Sequence, residues 1–404
     1  MPATIELVTA LAFEEARACV IEKVRSWVPQ PLDQDVELAS AAGRILAESI
    51  RADRDYPPID RSTRDGFAVR SADLPGELTV IGEVRAGEYF HGSTGRGQAV
   101  EIMTGAPVPR GADAVVMIEH VVHHGTQVRI TNTAVPGQNI VHKGVEAQSG
   151  DIVVHAGQRL GFAEIAEIAT VGRAHVRVFV PPRVGILATG DELVDVNETP
   201  GYWQVRNSNS HSLSVQVRNA GGVPTILPAV PDEYDATKQV VERGLTHDLL
   251  LLSGGVSAGK YDLVEKVLAD LKAEFFFDRV KIQPGQPVVF GRAHKRFFFG
   301  LPGNPASTMV TFEVFARAAL ELLGGLAEPR LPLLWTRLTR DFHHKPGLTR
   351  FLPANLSSDG GSITPVPWQG SSDVSALARS NAFVVAEANR ESWEAGDMIR
   401  VLPR

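Results

Sequence analysis

The chain has 404 residues, of which 44% are hydrophobic and 22% charged, so no long disordered stretch is expected. Its 40 basic and 47 acidic residues give a formal net charge of -7, which argues against a general nucleic-acid or anionic-membrane surface. A single cysteine, Cys19, excludes an internal disulfide and a zinc site built from several thiolates.

The start of the chain and its apolar content predict the compartment. Glu6, Glu14 and Glu15 interrupt any apolar run there, so no signal peptide is predicted. No apolar window approaches the roughly 20 residues that span a bilayer. We therefore expect a cytoplasmic protein, and its length predicts two to four domains.

The first half of the chain predicts a helical unit interrupted by a β-rich one. Apolar spacing predicts helices over residues 9–28 and over Gly161–Val171. Between them, alternating patterns punctuated by Gly, Pro and Asn predict the strands Leu78–Val84, Ala99–Met103, Ala114–Glu119 and Gln127–Thr131. We expect residues 1–50 and 147–180 to form a helical linker domain, with a β-rich domain of residues 51–146 inserted into it.

Apolar strands then alternate with helices. The predicted strands are Val184–Ala188, Pro224–Leu227, Leu249–Leu252 and Phe297–Phe299, and the predicted helices are Ser208–Ala220, Ala236–Leu245, Tyr261–Leu271 and Ala306–Leu323. This alternation is typical of a parallel sheet covered on both faces. The fold class is therefore a multidomain α/β protein, whose central, doubly wound, mostly parallel domain spans residues 181–327. Short strands and turns after Gly324-Gly325 predict a small β-barrel-like domain over residues 328–404.

The loop of residues 253–262, SGGVSAGKYD, joins a predicted strand to a predicted helix. Its glycines allow backbone N–H groups to converge on an anion beside the positive end of the helix. Gly254 to Lys260 fits the first seven P-loop positions, but Tyr261 stands where Ser or Thr would hold Mg²⁺. We favour a phosphate-binding loop of another kind, with Asp262 as a metal ligand. The alternative is a glycine turn that merely connects the two elements.

Acidic residues follow the ends of two other predicted strands. Glu192 closes the segment Thr189-Gly-Asp-Glu192, and Asp232 follows Pro224–Leu227. Each residue alone is equally explained as a helix cap or a partner of the helix dipole. Three acidic strand ends in one sheet favour a magnesium site formed by Glu192, Asp232 and Asp262, because Mg²⁺ prefers hard oxygen ligands.

Two polar segments precede predicted helices. In Asn207-Ser-Asn209, helix capping explains one side chain but not all three. Pro302-Gly-Asn-Pro305 is interpreted either as a rigid turn or as a preset wall of a ligand cleft. The pairs His123-His124 and His343-His344 lack a metalloprotease context and are expected to be solvated or structural.

Together these segments resemble the MoeA family of molybdopterin molybdenumtransferases, which includes the E domain of gephyrin. The matching segments occur in family order across nearly the whole chain. They are STRDGFAV at 62–69, IMTGAPVPRGADAVV at 102–116, ATGDELV at 188–194, NSNS at 207–210, SGGVSAGKYD at 253–262, PGQP at 284–287 and GLPGNPAS at 300–307.

The resemblance implies a transferase of molybdenum cofactor biosynthesis. Such an enzyme inserts molybdenum from molybdate into adenylylated molybdopterin, with Mg²⁺-dependent release of AMP. It further implies a homodimer in which the α/β domain of one subunit meets the β-rich domain of the other at the active site. Possible partners are the upstream adenylyltransferase and the enzymes that accept the cofactor. The alternatives are a molybdopterin adenylyltransferase and a non-catalytic molybdopterin-binding or scaffold homologue.

The resemblance also assigns roles to individual residues. Catalytic roles are implied for Asp65, Thr104, Glu192, Asp232 and Asp262. Substrate binding is implied for Asn207, Ser208, Asn209, Ser253, Gly254, Gly255, Ser257, Arg279, Lys281, Pro302, Gly303, Asn304, Arg350 and Ser371.

Two positions depart from the family pattern. Arg64 stands where the family often has Met, and Gln283 where it often has Lys. The second change removes positive charge from an oxyanion pocket. Arg279, Lys281 and Arg64 are the candidates to replace that charge.

Overall fold

The structure is a computed structural model and describes residues 10–27, 31–230, 233–254 and 263–404. Up to residue 180 the elements are α1 (Phe13–Trp27), β1 (Asp33–Glu37), β2 (Ile50–Arg51), β3 (Arg61–Ser62), β4 (Gly66–Val69), β5 (Gly76–Val84), β6 (Gln98–Ile102), β7 (Ala114–Met117), β8 (Val121–His124), β9 (Gln127–Ile130), β10 (Ile140–Val141), β11 (Ile152–Val154), α2 (Phe162–Thr170) and β12 (His175–Phe179). Short 3₁₀ turns lie at Leu38–Ala41, Ser71–Asp73 and Ile118–His120.

The remaining elements alternate strands and helices and then return to strands. Up to residue 327 they are β13 (Arg183–Ala188), β14 (Leu193–Val194), β15 (Val205–Arg206), α3 (Ser208–Asn219), β16 (Val223–Ile226), α4 (Tyr234–Gly244), β17 (Leu249–Ser253), α5 (Leu263–Asp270), β18 (Glu274–Phe277), β19 (Ile282–Gln283), β20 (Val289–Ala293), β21 (Arg296–Leu301), α6 (Pro305–Thr311), the π-helical segment Phe312–Ala316 and α7 (Arg317–Leu323). Beyond it lie β22 (Leu334–Leu338), β23 (Phe342–His343), β24 (Thr349–Leu356), β25 (Ser362–Pro365), α8 (Val374–Ala378), β26 (Ala382–Ala386), β27 (Ser392–Trp393) and β28 (Met398–Pro403).

The linker region brings together two distant stretches of chain. β1 pairs antiparallel with β12, and β2 pairs with β11. Leu46, Ile50, Ile168 and Val176 lie in one buried cluster between these strands and α2. The chain therefore leaves this packed region after β2 and re-enters it at β11.

Helix α1 packs elsewhere. Its buried face of Phe13, Ala16, Val20 and Val24 joins the core that covers one side of the central sheet, next to α7. Apolar spacing predicts this helix and its buried stripe, but not which sheet or helix the stripe meets, because any apolar surface would satisfy the pattern.

The β-rich unit is a six-stranded sheet with the order β7-β4-β6-β5-β9-β8. Its two faces are buried by separate apolar clusters, one around Phe67, Leu78 and Val128 and the other around Val100 and Ile102. Side chains alternate between the faces of a strand, so β4 and β6 supply both clusters.

The central domain is a six-stranded sheet with the order β16-β13-β17-β21-β20-β18. The first four strands are parallel, β20 runs antiparallel to β21, and β18 runs antiparallel to β20. α3, α6 and α7 cover one face, and α4 and α5 the other. This is the predicted doubly wound, mostly parallel fold, and it places the carboxyl ends of β13, β17 and β21 side by side.

Strands β24, β25, β22, β28 and β26 form a closed barrel, since β24 also pairs with β26. The predicted barrel-like C-terminal domain is therefore confirmed. β19 pairs with β24 and so joins the barrel to the central domain. Across the described residues, no helix is both long and apolar enough to span a bilayer.

Candidate functional site

A cleft of about 470 Å³ lies where the parallel strands of the central sheet end. Ala188 is in register with Ser253, and Ser253 with Leu301, so β13, β17 and β21 finish at the same edge. Ligands of doubly wound folds bind at such an edge. The described lining consists of Ala188, Thr189, Glu192, Leu193, Val205, Arg206, Asn207, Ser208, Asn209, Ser253, Gly254, Gly303, Asn304, Pro305 and Ser372.

The Asn207-Ser-Asn209 segment organises one wall of the cleft. Asn207 caps α3, because its side chain accepts a hydrogen bond from the Ser210 N–H at 3.1 Å. Asn209 Nδ2 donates to Ser253 Oγ at 2.9 Å and to the Gly303 carbonyl at 2.7 Å. Capping thus accounts for Asn207 alone, while Asn209 ties the last residue of β17 to the loop that follows β21.

Gly254 allows two loops to approach closely, and its N–H is not free to bind a phosphate. Its φ is +90°, and a Cβ there would lie 2.5 Å from the Thr189 carbonyl oxygen, so only glycine fits. Its N–H donates to the Leu301 carbonyl at 3.3 Å and is therefore used within the protein. Gly255 and Ser257, also predicted to hold phosphate, lie outside the described residues.

Three polar atoms around the start of α3 are buried and have no partner within the described chain. They are Thr189 Oγ1, Asn209 Oδ1 and Ser210 Oγ. Burying such a group unpaired costs about 1–3 kcal/mol. Thr189 and Asn209 line the cleft, so their unpaired oxygens indicate a place where a polar ligand or a hydrated cation is bound.

Glu192 adds a carboxylate to these oxygens. It is exposed and lines the cleft just after β13. The other predicted magnesium ligands, Asp232 and Asp262, lie outside the described residues, and within the described ranges no three His, Cys, Asp or Glu side chains form a metal-binding group. Carboxylate, amide and hydroxyl oxygens are nevertheless the donor set that Mg²⁺ prefers, so the described part of the cleft fits that ion.

Arg206 is a basic residue of the cleft that sequence reasoning missed. Among the described lining residues it is the single cation, and its Nε donates to the Glu198 carbonyl at 3.0 Å. It directly precedes Asn207, and this position next to a polar helix start was the signal available. That signal is weak, because an isolated arginine outside a recognised motif is normally only solvated.

The predicted basic residues of the 279–283 stretch lie outside the cleft lining. Arg279 faces Glu265, whose pKa is raised chiefly by burial and further by Asp278, while Arg279 opposes that shift. Lys281 is exposed, and its carbonyl accepts the Thr349 N–H at 3.0 Å. Lys281 therefore lies along the connection toward the barrel.

Arg350 lies beside the position where the family often has lysine. Gln283 and Arg350 are register partners in the parallel pair β19–β24. The Nε of Arg350 is buried and has no partner in the described chain. Gln283, which lacks the positive charge of the family's lysine, thus lies next to Arg350, whose Nε–H has no acceptor in the described chain.

The C-terminal domain reaches the cleft through its 371–372 segment. The Ser371 carbonyl accepts the Ala306 N–H at 2.9 Å at the start of α6, and Ser372 lines the cleft. The Pro302 carbonyl accepts a hydrogen bond from Thr308 Oγ1 at 2.5 Å. Pro302 therefore holds the turn before α6, while Gly303 and Asn304 form the cleft wall.

Asp65 and Thr104 meet at an exposed corner of the β-rich unit. The Thr104 N–H and hydroxyl donate to Asp65 Oδ1 at 2.6 and 2.8 Å. The backbone hydrogen bond, and then the hydroxyl, hold the pKa of Asp65 below its ordinary value. In the described chain no residue of 51–146 lines the cleft, so the two predicted groups form separate sites in one subunit.

The paired histidines lie outside the described lining of the cleft. His344 is buried and stacks on Trp393, whereas His343 is exposed. His123 meets the Phe67 ring edge-on at 5.2 Å, and His124 is exposed.

Comparison with known proteins gives the family. The protein named molybdopterin molybdenumtransferase in Staphylococcus aureus (strain Mu50 / ATCC 700699) is 34% identical over 377 residues, covering 91% of this chain and 90% of that protein. The chain belongs to the molybdopterin molybdenumtransferase family. The protein of the same name from Staphylococcus epidermidis (strain ATCC 12228 / FDA PCI 1200) is 31% identical over 409 residues and covers 99% of this chain and 97% of its own.

The family regions cover most of the chain. The MoeA N-terminal region (domain I and II) matches residues 11–172, the probable molybdopterin binding domain matches 185–322, and the MoeA C-terminal region (domain IV) matches 336–403. The solved structure titled as the molybdopterin biosynthesis moeA protein from Pyrococcus horikoshii OT3 is 28% identical, with a TM-score of 0.80 over 98% of this chain and 100% of that one. The family resemblance found in the sequence motifs is thus confirmed.

Proposed function

We propose that this chain is a molybdopterin molybdenumtransferase of molybdenum cofactor biosynthesis. Its substrates are molybdate and adenylylated molybdopterin, and Mg²⁺-dependent release of AMP accompanies insertion of the metal. The observation that carries the proposal is the cleft at the ends of β13, β17 and β21, where unpaired oxygens of Thr189 and Asn209 lie beside the Glu192 carboxylate. The relatives that bear this name support the proposal over nearly the full chain.

Magnesium is assigned to the acidic side of the cleft. Glu192, together with Asp232 and Asp262, would hold it, and Mg²⁺ bound there would neutralise the pyrophosphate charge. Asn209 keeps the end of β17 and the loop after β21 at a fixed separation, because it bonds to both. Arg206 and the start of α3 offer positive charge to the phosphates.

Attack by water or by a molybdate oxygen fits the cleft better than a covalent enzyme intermediate. Its described lining contains no His or Cys, and Ser253 Oγ already accepts a hydrogen bond from Asn209. An activated serine would need an adjacent base. The chain's own residues thus orient the substrate and stabilise charge.

We further propose that a homodimer completes the site. Asp65 and Thr104 form an exposed polar corner that is absent from the described cleft lining of their own subunit. A partner subunit would bring this corner to the cleft. This arrangement gives both groups of predicted catalytic residues access to one substrate.

The test is turnover of adenylylated molybdopterin by the purified chain with molybdate and Mg²⁺. We expect AMP release and molybdenum incorporation, both lost on removal of Mg²⁺ and in Asp262→Asn with its fold intact. AMP release unchanged in that variant would refute the role of Asp262. Net adenylylated product from ATP and molybdopterin without molybdate would favour the adenylyltransferase. Failure to restore a molybdenumtransferase-deficient strain would favour the scaffold homologue.

A further inference from the structure

The segment between β14 and β15 leaves and re-enters the wall of the cleft. β14 and β15 pair in parallel, with Leu193 opposite Val205, and both residues line the cleft. Within the loop of residues 195–204, the Gly201 N–H donates to Gln204 Oε1 at 3.0 Å. The Arg206 side chain bonds the Glu198 carbonyl. The 195–204 loop is therefore fixed by its own hydrogen bonds next to the cleft.

This loop exposes two large aromatic side chains. Tyr202 is fully exposed and Trp203 is 66% exposed. Contiguous exposed apolar surface often marks a binding site. Trp203 lies two residues before Val205, so their Cα atoms are at most about 7 Å apart. The indole is thus within reach of the cleft rim.

The cleft itself offers no flat apolar surface in its described part. Its described lining residues are polar, small or aliphatic, and none is aromatic. The proposed substrate carries two fused nitrogen heterocycles, a pterin and an adenine. Stacking on an aromatic side chain is the usual way to hold such a ring, and it tolerates different ring substituents.

We propose that Tyr202 and Trp203 form a stacking site for a fused heteroaromatic ring of the substrate whose phosphates occupy the neighbouring cleft. The proposal rests on the proposed function for the identity of that substrate. Arg206 stands between these aromatic residues and α3, so one short segment presents ring-binding and phosphate-binding groups in the order that a nucleotide-like ligand requires. Trp203 is then a substrate-positioning residue.

Binding of two simple probes tests this without turnover. AMP and 6-hydroxymethylpterin are titrated separately against the wild-type dimer, Trp203→Ala and Trp203→Phe. We expect Trp203→Ala to weaken at least one probe by about ten-fold, while Trp203→Phe retains most of the affinity. The probe that loses affinity identifies the stacked ring. Trp335→Ala, which removes a 59% exposed tryptophan from the barrel, is the matched control and should change neither affinity.

Turnover provides a second readout. With adenylylated molybdopterin, Trp203→Ala should raise KM and leave kcat nearly unchanged, because stacking binds ground state and transition state alike. Unchanged affinity for both probes in a folded Trp203→Ala dimer would overturn the proposal. Dissociation of that variant into monomers with unchanged probe affinity would also overturn it, by assigning the aromatic residues to a contact between copies. If wild-type enzyme releases AMP while the probe affinities do not change, stacking fails and the proposed function stands.

Discussion

At the scale of single residues, the cleft depends on a backbone position, Gly254, where only glycine fits. Gly254 combines a φ of +90° with a contact to the Thr189 carbonyl, whereas Gly150 has a φ of +92° and open space around its Cβ position. Substituting Gly150 therefore measures only the cost of a side chain at positive φ, whereas substituting Gly254 adds the cost of the clash between the new Cβ and the Thr189 carbonyl. Sequence predicts glycine in a phosphate-binding loop here, but it does not show that the reason is a neighbouring strand end.

We expect Gly150→Ala to destabilise its domain by about 1–2 kcal/mol, the cost of a left-handed residue. Gly254→Ala should cost more and should also abolish AMP binding, because the β13 and β17 loops must separate. The thermal unfolding midpoint of each variant and a titration with AMP measure both effects. Equal destabilisation of the two variants with normal AMP affinity would contradict the close-approach role.

The Asp65–Thr104 corner has a pH dependence of definite sign. Because the folded pKa of Asp65 is lowered, its contribution to stability is present above the unfolded pKa and is lost as pH falls through the folded one. The chemical shift of the Thr104 amide proton should therefore follow the titration of Asp65, with a midpoint below about 3.9, the ordinary Asp value. NMR of this amide between about pH 6 and pH 2.5 measures it. A midpoint at or above the ordinary value would show that the two hydrogen bonds are not formed in solution.

At the scale of elements, the helix α3 both caps itself and connects two strand ends. Asn207 serves the first purpose and Asn209 the second. The predicted bounds of α3, Ser208–Ala220, differ from the observed Ser208–Asn219 by one residue, since the polar start and the glycines after the helix are local signals. The bridge from Asn209 to Gly303 spans 94 residues and has no local signal.

Substitution of the two asparagines separates these roles. Asn209→Ala should increase amide hydrogen exchange at the end of β17 and in the loop after β21 and weaken AMP binding, because both bridging bonds are lost. Asn207→Ala should increase exchange in the first turn of α3 and cost about 0.5–2 kcal/mol, as lost caps do. Hydrogen-exchange mass spectrometry resolves these segments. An Asn209→Ala protein with normal exchange near Gly303 would rule out the bridge.

Other elements show what local sequence patterns predict, such as a buried strand, and what they do not, such as its pairing direction. The apolar run at Phe297–Phe299 predicts a buried strand, and the structure places it in β21, which runs from Arg296 to Leu301. The antiparallel edge formed by β20 and β18 is not among the strands predicted from the sequence. Pairing direction depends on the connection between strands, which composition does not specify.

At the scale of the whole molecule, the division of the predicted site between two regions is the main consequence of the fold. The acidic cleft lies in the central domain, and the Asp65–Thr104 corner lies in the inserted β-rich unit. The acidic strand ends of the central domain are predicted from local residue patterns, whereas Asp65 and Thr104 are implied only by the family resemblance, because their segments otherwise predict no more than polar loops. Their separation in one subunit follows only from the packing of the linker strands β1, β2, β11 and β12.

Mixed dimers test whether the two groups work together across subunits. Asp65→Ala and Glu192→Ala should each be inactive alone, and a random mixture should regain about a quarter of wild-type AMP release. Half of the dimers in that mixture contain one intact composite site. A mixture of Glu192→Ala with Asp262→Asn, both in the central domain, is the matched control and should stay inactive. No recovery in the first mixture would contradict the composite site.

The proposed function requires the strand-end cleft to bind the divalent cation and the nucleotide phosphate together. Anomalous diffraction from Mn²⁺, used in place of Mg²⁺ in crystals with AMP, locates the cation directly. We predict a peak about 2.0–2.2 Å from a Glu192 carboxylate oxygen, with the AMP phosphate between it and the start of α3. A cation bound away from Glu192, or AMP held in another part of the molecule, would contradict the account.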